Sequence, residues 1–190
     1  MAGMVEVRWH GRGGQGAKTA AYLLAEAVMG EGQNFQAFPE YGPERMGAPI
    51  RAFVRISDTP IRMHCPVTSP GVVVVLDPTL IGKVDVLEGV PEDGTIIINS
   101  DQSPQELAKL LGAGNRKVWT VAATQIAMDT IRRPIPNTVM LGALARATGL
   151  LDLERLKSKV THKFGTKLKA EVLQGNLTAI DRAYQEVQST

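Results

Sequence analysis

Residues 5–19 have the sequence VEVRWHGRGGQGAKT. The first six alternate between apolar and polar side chains, and this period of two predicts a β-strand. From Ala17 to Val28 the chain is rich in Ala and Leu without a breaker, which predicts a helix. The turn between them holds four glycines in six residues, and glycine lets another group come close to the backbone. Because free N–H groups at a helix start favour an anion, we expect a phosphate or a partner backbone to approach this turn.

The turn fits one phosphate-binding motif and misses another by one residue. Residues 11–16 match G-x-G-x-x-G between a strand and a helix. A dinucleotide site also needs an acidic residue about 20 positions on, at the end of the second strand. Glu31 has that spacing but lies in a Gly-Glu-Gly turn, and Glu40 is too far along. In the Walker motif, Ala17 intrudes before Lys18, which rotates that lysine by about 100°. A full NAD or ATP site is disfavoured, while an anion site and a purely structural tight turn both stay open.

The composition is that of an ordinary globular chain. It has 190 residues, of which 44% are hydrophobic and 21% are charged, so we expect one domain, residues 1–190. The net charge of +2 does not favour nucleic acid as a partner. No apolar run reaches the length of a membrane span, and the first residues lack the apolar core of a secretory signal. We therefore expect a cytoplasmic protein without membrane contact.

The chain carries few groups for catalysis. Its single cysteine, Cys65, excludes an internal disulfide and a four-cysteine cluster held by this chain alone, and it suits a reducing cytoplasm. His64 precedes Cys65, but no companion ligands stand nearby, so we interpret the pair as incidental. Since no Ser-His-Asp pattern or nucleophile elbow occurs, we expect neither a catalytic residue nor a metal site in this chain.

Strands and helices are predicted to alternate along the chain. This order predicts an α/β fold with a doubly wound, mostly parallel, Rossmann-like sheet, an antiparallel hairpin addition and carboxyl-terminal helices. The hairpin is expected to join residues 50–56 to residues 60–64. Further strands are predicted at 34–38, 72–76, 95–99 and 116–121, and helices at 80–90, after Ser103, at 122–131, after Asn137, at 153–160 and at 173–187. Ser103 and Glu106 are expected to form a capping box, and Asn137 is expected to cap its helix. The small residues Gly142, Ala143 and Ala145 are expected to allow close helix packing.

Several side chains carry their own predictions. Asp77 follows the buried strand 72–76, so it either faces a binding crevice or caps the next segment. Arg51, Arg55 and Arg62 are expected to point outward, as a solvated face or a subunit contact. Residues 39–49 contain three prolines and two glycines, and this composition at a strand end favours a functional loop over a purely structural connection.

Four segments, in this order and spacing, resemble the gamma subunit of the 2-oxoacid:ferredoxin oxidoreductases, especially the pyruvate type. Where that family often has a second arginine and paired glycines, this chain has Met46, Gly47 and Ala48. That version resembles the pyruvate and branched-chain members, so the identity of the 2-oxoacid stays open. The segments are His10–Ala17 (HGRGGQGA), Tyr41–Pro49 (YGPERMGAP), Val73–Pro78 (VVVLDP) and Pro136–Ala143 (PNTVMLGA).

The resemblance implies a reaction that this chain does not perform alone. A 2-oxoacid is decarboxylated on thiamine diphosphate with Mg²⁺, electrons pass through [4Fe–4S] clusters to ferredoxin, and the acyl group leaves on coenzyme A. The implied partners are the alpha, beta and delta subunits, with ferredoxin as the acceptor of the complex. The gamma subunit is implied to pack over the core and to help shape the coenzyme A region. None of these cofactors is expected to bind this chain by itself.

The candidate site follows from the glycine turn and the loop after the second strand. We expect the turn to bring N–H groups toward a coenzyme A phosphate or toward a partner loop, with Arg45 and, more weakly, Lys18 attracting the same anion. Two other interpretations remain: a freestanding NAD-binding module, and a structural subunit without a ligand. The candidate residues are Gly11, Gly13, Gly14, Gln15, Gly16, Lys18, Tyr41, Glu44 and Arg45.

Overall fold

The computed structural model describes residues 3–29, 33–40 and 47–190, and within them seven strands form one mixed sheet. The strands are β1 (Val5–Arg12), β2 (Asn34–Glu40), β3 (Pro49–Ser57), β4 (Val72–Val75), β5 (Thr95–Asn99), β6 (Lys117–Val121) and β7 (Gln188–Ser189). Their spatial order is β2-β3-β1-β4-β5-β6-β7. Strands β1, β4, β5 and β6 are parallel neighbours, whereas β3 runs antiparallel to β1 and β2, and β7 runs antiparallel to β6.

Helices cover both faces of this sheet. Helix α2 packs on one face through Leu107, and the other helices pack on the opposite face. The helices are α1 (Ala17–Val28), α2 (Pro104–Leu111), α3 (Ala123–Ile131), α4 (Asn137–Thr148), α5 (Leu153–Phe164) and α6 (Ala170–Glu186), with a short 3₁₀ turn at Pro78–Leu80. The predicted α/β class with a Rossmann-like sheet and carboxyl-terminal helices is therefore confirmed.

The four valines of β4 do not alternate with polar residues, because both faces of this strand are buried. Val72 and Val74 enter the larger core beneath α1 and α4, whereas Val73 and Val75 enter the smaller core beside α2. A strand covered on both faces needs apolar side chains at every position. This strand lies next to β1 near the middle of the sheet, which positions its carboxyl end beside the glycine turn.

Helices α4 and α6 pack closely at Gly142. A Cβ atom built on Gly142 would lie 2.3 Å from the backbone oxygen of Ile180, so no larger residue fits there without moving a helix. The prediction that small residues permit close helix packing in this segment is confirmed.

The predicted hairpin has the wrong partner. Residues 60–64 form no strand, and β3 pairs instead with β1 on one side and β2 on the other. Both edges of β3 are thus already used, and Pro60 lacks the N–H that a ladder needs. The antiparallel addition exists, but β2 and β3 form it.

Two local predictions are also wrong. Residues 80–90 form turns after the 3₁₀ segment instead of a helix, because Gly82 and Gly89 adopt positive φ values of 79° and 68°, which interrupt a right-handed helix. Asn137 is not the cap of α4 but its first helical residue, with Pro136 at the N-cap. The capping box of Ser103 and Glu106 at α2 is present as predicted.

The expected outward position of the arginines is wrong for Arg55. Its side chain is 1% exposed, and its Nε donates to Glu6 Oε1 at 2.7 Å. Arg55 also donates to the carbonyl oxygen of Pro66, so a distant irregular segment covers this part of the sheet. Arg51 is half-buried and pairs with Glu40, whereas Arg62 is exposed as predicted.

Candidate functional site

The candidate site lies at the carboxyl ends of β1 and β4. From β1 the chain passes first to β2 and β3 on one side, and then to β4, β5 and β6 on the other. The boundary between β1 and β4 is therefore the topological switch point, where open α/β sheets form their binding crevices. The glycine turn follows β1 and Asp77 follows β4, so both of these features lie at that boundary.

The glycine turn has a backbone that only glycine adopts easily. Gly14 has a φ of 98° and Gly16 a φ of 82°, in the region that disfavours side chains. The N–H of Gly13 donates to the Ala48 carbonyl oxygen at 3.1 Å, which ties the turn to the start of β3. Gly16 is the N-cap of α1 and has no side chain with which to cap the first N–H groups of this helix.

The Asp77 carboxylate organises the turn from β4. Its Oδ2 accepts from Gln15 Nε2 at 2.8 Å and from Arg12 Nε at 3.1 Å. Its Oδ1 accepts from the N–H and the hydroxyl of Thr79. Arg12 continues the network by donating to the carbonyl oxygen of Gly47 and to Thr79 Oγ1. The two predicted roles of Asp77 thus coexist, because it caps the 3₁₀ turn and also holds the glycine turn.

The Asp77 network favours an ionised carboxylate. Burial alone would raise the pKa of Asp77, but hydrogen bonds from Thr79 and Gln15 and the charge of Arg12 outweigh burial and lower it. Gln15 Oε1 accepts from the Arg12 N–H at 2.8 Å, so the glutamine connects both ends of the turn to the carboxylate. The network therefore fixes the turn's shape near neutral pH.

A second helix begins beside the same turn. A Cβ atom built on Gly16 would lie 2.4 Å from Asn137 Nδ2, so the start of α4 contacts the start of α1. Neither helix has an acidic residue in its first turn. The positive ends of both helix dipoles therefore lie next to each other, and neither first turn contains an acidic side chain to neutralise them. Such an arrangement attracts an anion.

The structure brings together only part of the predicted site. Gly11, Gly13, Gly14, Gln15 and Gly16 form the end of β1 and the turn. Lys18 lies exposed in the first turn of α1, and its Nζ is 6.0 Å from the centroid of the Tyr22 ring. Tyr41, Glu44 and Arg45 lie outside the described residues.

Sequence reasoning did not select Arg12, Thr79 or Asn137 as site residues. Arg12 could have been found, because it is a cation placed between two glycines of the turn. Asn137 could not, because it lies 121 positions from Gly16 and no local pattern connects the two.

The buried pair of Arg8 and His10 belongs to the sheet and not to the candidate site. Arg8 Nε donates to His10 Nε2 at 3.0 Å, and Arg8 Nη2 donates to the carbonyl oxygens of Val86 and Glu88. Burial, together with the charges of Arg8 and Arg51, lowers the pKa of His10 to about 3. Its imidazole is thus neutral at physiological pH and accepts the arginine's hydrogen bond.

The acidic residue that an NAD site requires is not in place. Because β3 lies between β1 and β2, Glu40 at the end of β2 is two strands away from the glycine turn. Its carboxylate pairs with Arg51. Glu31 lies outside the described residues. The topology therefore disfavours the usual dinucleotide arrangement, in which the second strand neighbours the first.

The described part of the chain lacks both a group of metal ligands and a helix that could span a membrane. Residues 3–29, 33–40 and 47–190 contain no group of three or more His, Cys, Asp or Glu side chains that could hold a metal ion. Cys65 is exposed within them. None of the helices in these ranges combines the length and apolar character that a bilayer crossing needs.

The fold and the site together define a Rossmann-like α/β domain with a glycine turn at its switch point. The family described as pyruvate ferredoxin/flavodoxin oxidoreductase matches residues 6–186. The chain belongs to this family.

Individual relatives agree with this assignment. The chain is 48% identical to pyruvate synthase subunit PorC of Thermotoga maritima over 182 residues, which cover 96% of this chain and 94% of the relative. It is 45% identical to the pyruvate/ketoisovalerate oxidoreductases common subunit gamma of Pyrococcus abyssi, with 97% and 98% of the two chains covered. The crystal structure of the T. maritima PorC subunit superposes with a TM-score of 0.86 at 44% identity, over 98% of each chain.

Proposed function

We propose that this chain is the gamma subunit of a pyruvate:ferredoxin oxidoreductase complex, and that its glycine turn helps form the coenzyme A region. The complex decarboxylates pyruvate oxidatively to acetyl-CoA and passes electrons to ferredoxin, or runs the reverse synthesis. The gamma chain is not catalytic alone. Residues 1–190 act as one domain of this complex in the cytoplasm, with alpha, beta and delta subunits as partners.

The observation that carries the coenzyme A assignment is the meeting of two helix starts at the switch point. Coenzyme A presents a diphosphate and a 3′-phosphate, and both are recognised by backbone N–H groups at helix starts. Gly14 has φ 98°, and no atom of residues 3–29, 33–40 and 47–190 lies within 4 Å of a Cβ built on it, so this part of the structure leaves the backbone of the turn uncovered. Lys18 adds positive charge beside it, which favours the approach of a phosphate, whereas the charge of Arg12 is paired with Asp77.

The redox cofactors are assigned to other subunits. A [4Fe–4S] cluster is held by four thiolates, and this chain has one cysteine. Magnesium bound to thiamine diphosphate takes oxygen ligands, and the described residues contain no cluster of carboxylates suited to it. The chain's own contribution is therefore to orient coenzyme A and to complete the assembly.

A second candidate is a gamma subunit for 2-oxoisovalerate or another 2-oxoacid. The P. abyssi relative is named as a common subunit of pyruvate and ketoisovalerate oxidoreductases, which favours this possibility. Because the substrate pocket is expected on other subunits, the choice of pyruvate as the substrate rests mainly on the names of this chain's relatives.

A glycine substitution tests the role of the turn. Valine at Gly14 combines a β-branched side chain with a φ of 98°, so the turn must change shape. We expect the reconstituted complex carrying Gly14→Val to lose assembly or to show a raised KM for coenzyme A.

The matched control is Gly112→Val. Gly112 also has a positive φ of 61°, with no atom of the described residues within 4 Å of a built Cβ, but it lies at the end of α2. We expect this complex to keep its KM for coenzyme A. Unchanged steady-state kinetics and assembly in the Gly14 variant would refute the proposed role of the turn.

A further inference from the structure

A straight stretch of backbone at residues 60–64 has no partner strand. It runs without a turn or a bend between β3 and the segment around Pro66 that covers Arg55. Within residues 3–29, 33–40 and 47–190, no backbone hydrogen bond joins this stretch to another part of the chain. Residues 62–64 are exposed, so water reaches them. An extended backbone whose N–H and C=O groups are unpaired is a template on which another strand can pair.

The free edge of β2 lies beside the stretch 60–64. In the described part of the chain β2 is the outermost strand on its side of the sheet and pairs with β3 alone. Gln36 Nε2 donates to the Met63 carbonyl oxygen at 2.9 Å, which holds the stretch against this strand. Residues 34–40 contain no lysine or arginine, although such charges commonly protect an exposed edge. Pro39 removes one donor near the end of the strand, whereas the residues before it keep their N–H groups.

Two open cavities flank the stretch 60–64. One has a volume of about 420 Å³ and is lined by His64 and by residues 36–38 of β2. Because successive side chains of a strand point to opposite faces, three consecutive lining residues place this cavity along the edge of the strand. The other has a volume of about 330 Å³ and is lined by residues 57–63 together with Gly3 and Met4. The stretch therefore lies between two cavities that a second chain can enter.

Large apolar side chains are exposed at this surface. Met63 is 42% exposed and Met4 is 39% exposed, and both line the second cavity. Phe35, which precedes Gln36 on β2, is 37% exposed. Apolar side chains that are exposed as a group mark a contact with another protein. The relatives of this chain are named as subunits, and a subunit buries part of its surface against its partners.

Arg62 provides a charge that the described residues leave without a carboxylate. Arg51 and Arg55 form ion pairs with glutamates of the sheet, whereas Arg62 forms no ion pair with a carboxylate of the described ranges. Asp58 lines the same cavity as Arg62, and its Oδ1 accepts from Gln33 Nε2 at 3.3 Å. The Arg62 guanidinium therefore offers a position for a carboxylate of the docked chain.

We propose that the stretch 60–64 and the free edge of β2 bind an extended segment of a partner subunit of the oxidoreductase complex. This segment pairs through its main chain, packs apolar side chains on Met4 and Met63, and presents a carboxylate to Arg62. A helix fits less well, because its main-chain groups are already paired within the helix. The inference rests on the proposed function, since it takes the partner from the same complex.

A second copy of this chain is the competing occupant. An antiparallel pairing of two copies about the centre of the stretch 60–64 would place Arg62 opposite the Arg62 of the other copy. Like charges directly opposite each other destabilise paired strands, and neither copy would supply the missing carboxylate. The charge at this surface therefore favours a different chain over a second copy.

Substitutions at residues 62 and 63 test the surface in the intact complex. Mass photometry over a dilution series gives the Kd at which this chain leaves the complex. We expect Met63→Asp to raise that Kd by about tenfold or more, because it places a carboxylate in an apolar contact. Arg62→Glu should raise the Kd by roughly threefold or more, because the docked carboxylate then faces a like charge.

Met128→Asp is the matched control for Met63→Asp. Met128 is 44% exposed, but it lies on α3. We expect the complex with this variant to keep its Kd within about twofold of the wild-type value. The isolated variants at residues 62 and 63 should keep their Tm within about 2 °C, since both residues are exposed. If Met63→Asp unfolds the chain, Arg62→Glu decides the outcome.

Hydrogen exchange tests the main-chain pairing. In the isolated chain, residues 61–64 have no backbone acceptor among the described residues, so we expect their N–H groups to exchange quickly. In the complex we expect exchange of these groups to be at least about tenfold slower, because the docked segment then accepts their hydrogen bonds.

Three results would overturn the inference. The first is an unchanged Kd in both variants, the second is an equal rise in Kd for Met63→Asp and Met128→Asp, and the third is the absence of slower exchange at residues 61–64 in the complex. A dimer of the isolated chain that Met63→Asp dissociates in sedimentation would assign the surface to a second copy and also overturn it.

Failure of this inference is distinct from failure of the proposed function. If the wild-type chain enters the complex and the variants at residues 62 and 63 enter it equally well, this inference alone fails. If the wild-type chain does not enter an oxidoreductase complex, the proposed function fails as well.

Discussion

Replacing Asp77 by asparagine should loosen the glycine turn and destabilise the chain. Asparagine has nearly the same size, but it keeps one acceptor oxygen and gains an NH₂ group. If its oxygen stays with Thr79, its NH₂ faces Gln15 Nε2 and Arg12 Nε, which are both donors. The variant therefore loses the two hydrogen bonds that hold the turn and places three donors together.

The size of the effect follows from those two hydrogen bonds. A hydrogen bond to a charged group contributes about 1.5–3 kcal/mol, with partly exposed pairs at the lower end. Arg12 is 24% exposed and Asp77 is 11% exposed in their side chains, and the bonds share one oxygen, so they do not add fully. We expect a loss of about 2–3 kcal/mol in the free energy of unfolding at pH 7, or roughly 5–10 °C in Tm for a chain of this length.

The measurement is urea denaturation of the wild type and Asp77→Asn, with Asp93→Asn as control because Asp93 is exposed. The folded-state pKa of Asp77 is lowered, so its stabilisation is present above the unfolded pKa of about 3.9 and is lost as pH falls through the folded pKa. The difference between wild type and variant should therefore shrink in acid. A variant no less stable than the Asp93 control at pH 7, or a difference that does not shrink below about pH 4, would refute this reasoning.

Three further predictions concern the core and the sheet. Because the pKa of His10 is lowered to about 3, the NMR shifts of its imidazole nitrogens should stay constant between about pH 7 and pH 5. The free energy of unfolding should fall as the pH drops below the unfolded pKa of about 6.5. A titration midpoint near 6.5 would contradict the buried neutral state. Gly142→Val should lower the free energy of unfolding by about 3 kcal/mol or more, because the Cβ of the valine would overlap the backbone oxygen of Ile180. A loss below about 1 kcal/mol would contradict the close packing of α4 and α6. Glu6→Leu should lower the free energy of unfolding, measured by urea denaturation, by about 3 kcal/mol, because Arg55 is 1% exposed and would remain charged and buried without its carboxylate partner. An unchanged denaturation midpoint would contradict this and show that the carbonyl oxygen of Pro66 is a sufficient partner for Arg55.

Local sequence patterns predicted the elements that depend on neighbouring residues. The valines of β4, the strand–turn–helix at residues 5–28 and the capping box at Ser103 all have their signal within a few positions. The glycine turn was identified in the same way, because its glycines are close together in sequence and in space.

The remaining features depend on contacts between distant segments. Arg55 is buried because residues near Pro66 fold back over β3, and nothing in the alternation of that strand indicates this cover. Asp77 holds Gln15 across 62 positions, and Asn137 reaches Gly16 across a still longer separation. Such contacts follow from the order of the strands and the packing of helices, which propensity and periodicity do not encode.

The most direct test of the gamma-subunit assignment is an anaerobic pull-down of the tagged chain from its native cells. The eluate is assayed for pyruvate- and coenzyme A-dependent reduction of a viologen dye, and its iron and thiamine diphosphate are quantified. The assignment predicts that larger subunits, iron and activity co-purify with the chain, and exchange of pyruvate for other 2-oxoacids then defines the substrate. A chain that elutes alone, without iron, and that binds NAD in calorimetry would contradict the assignment.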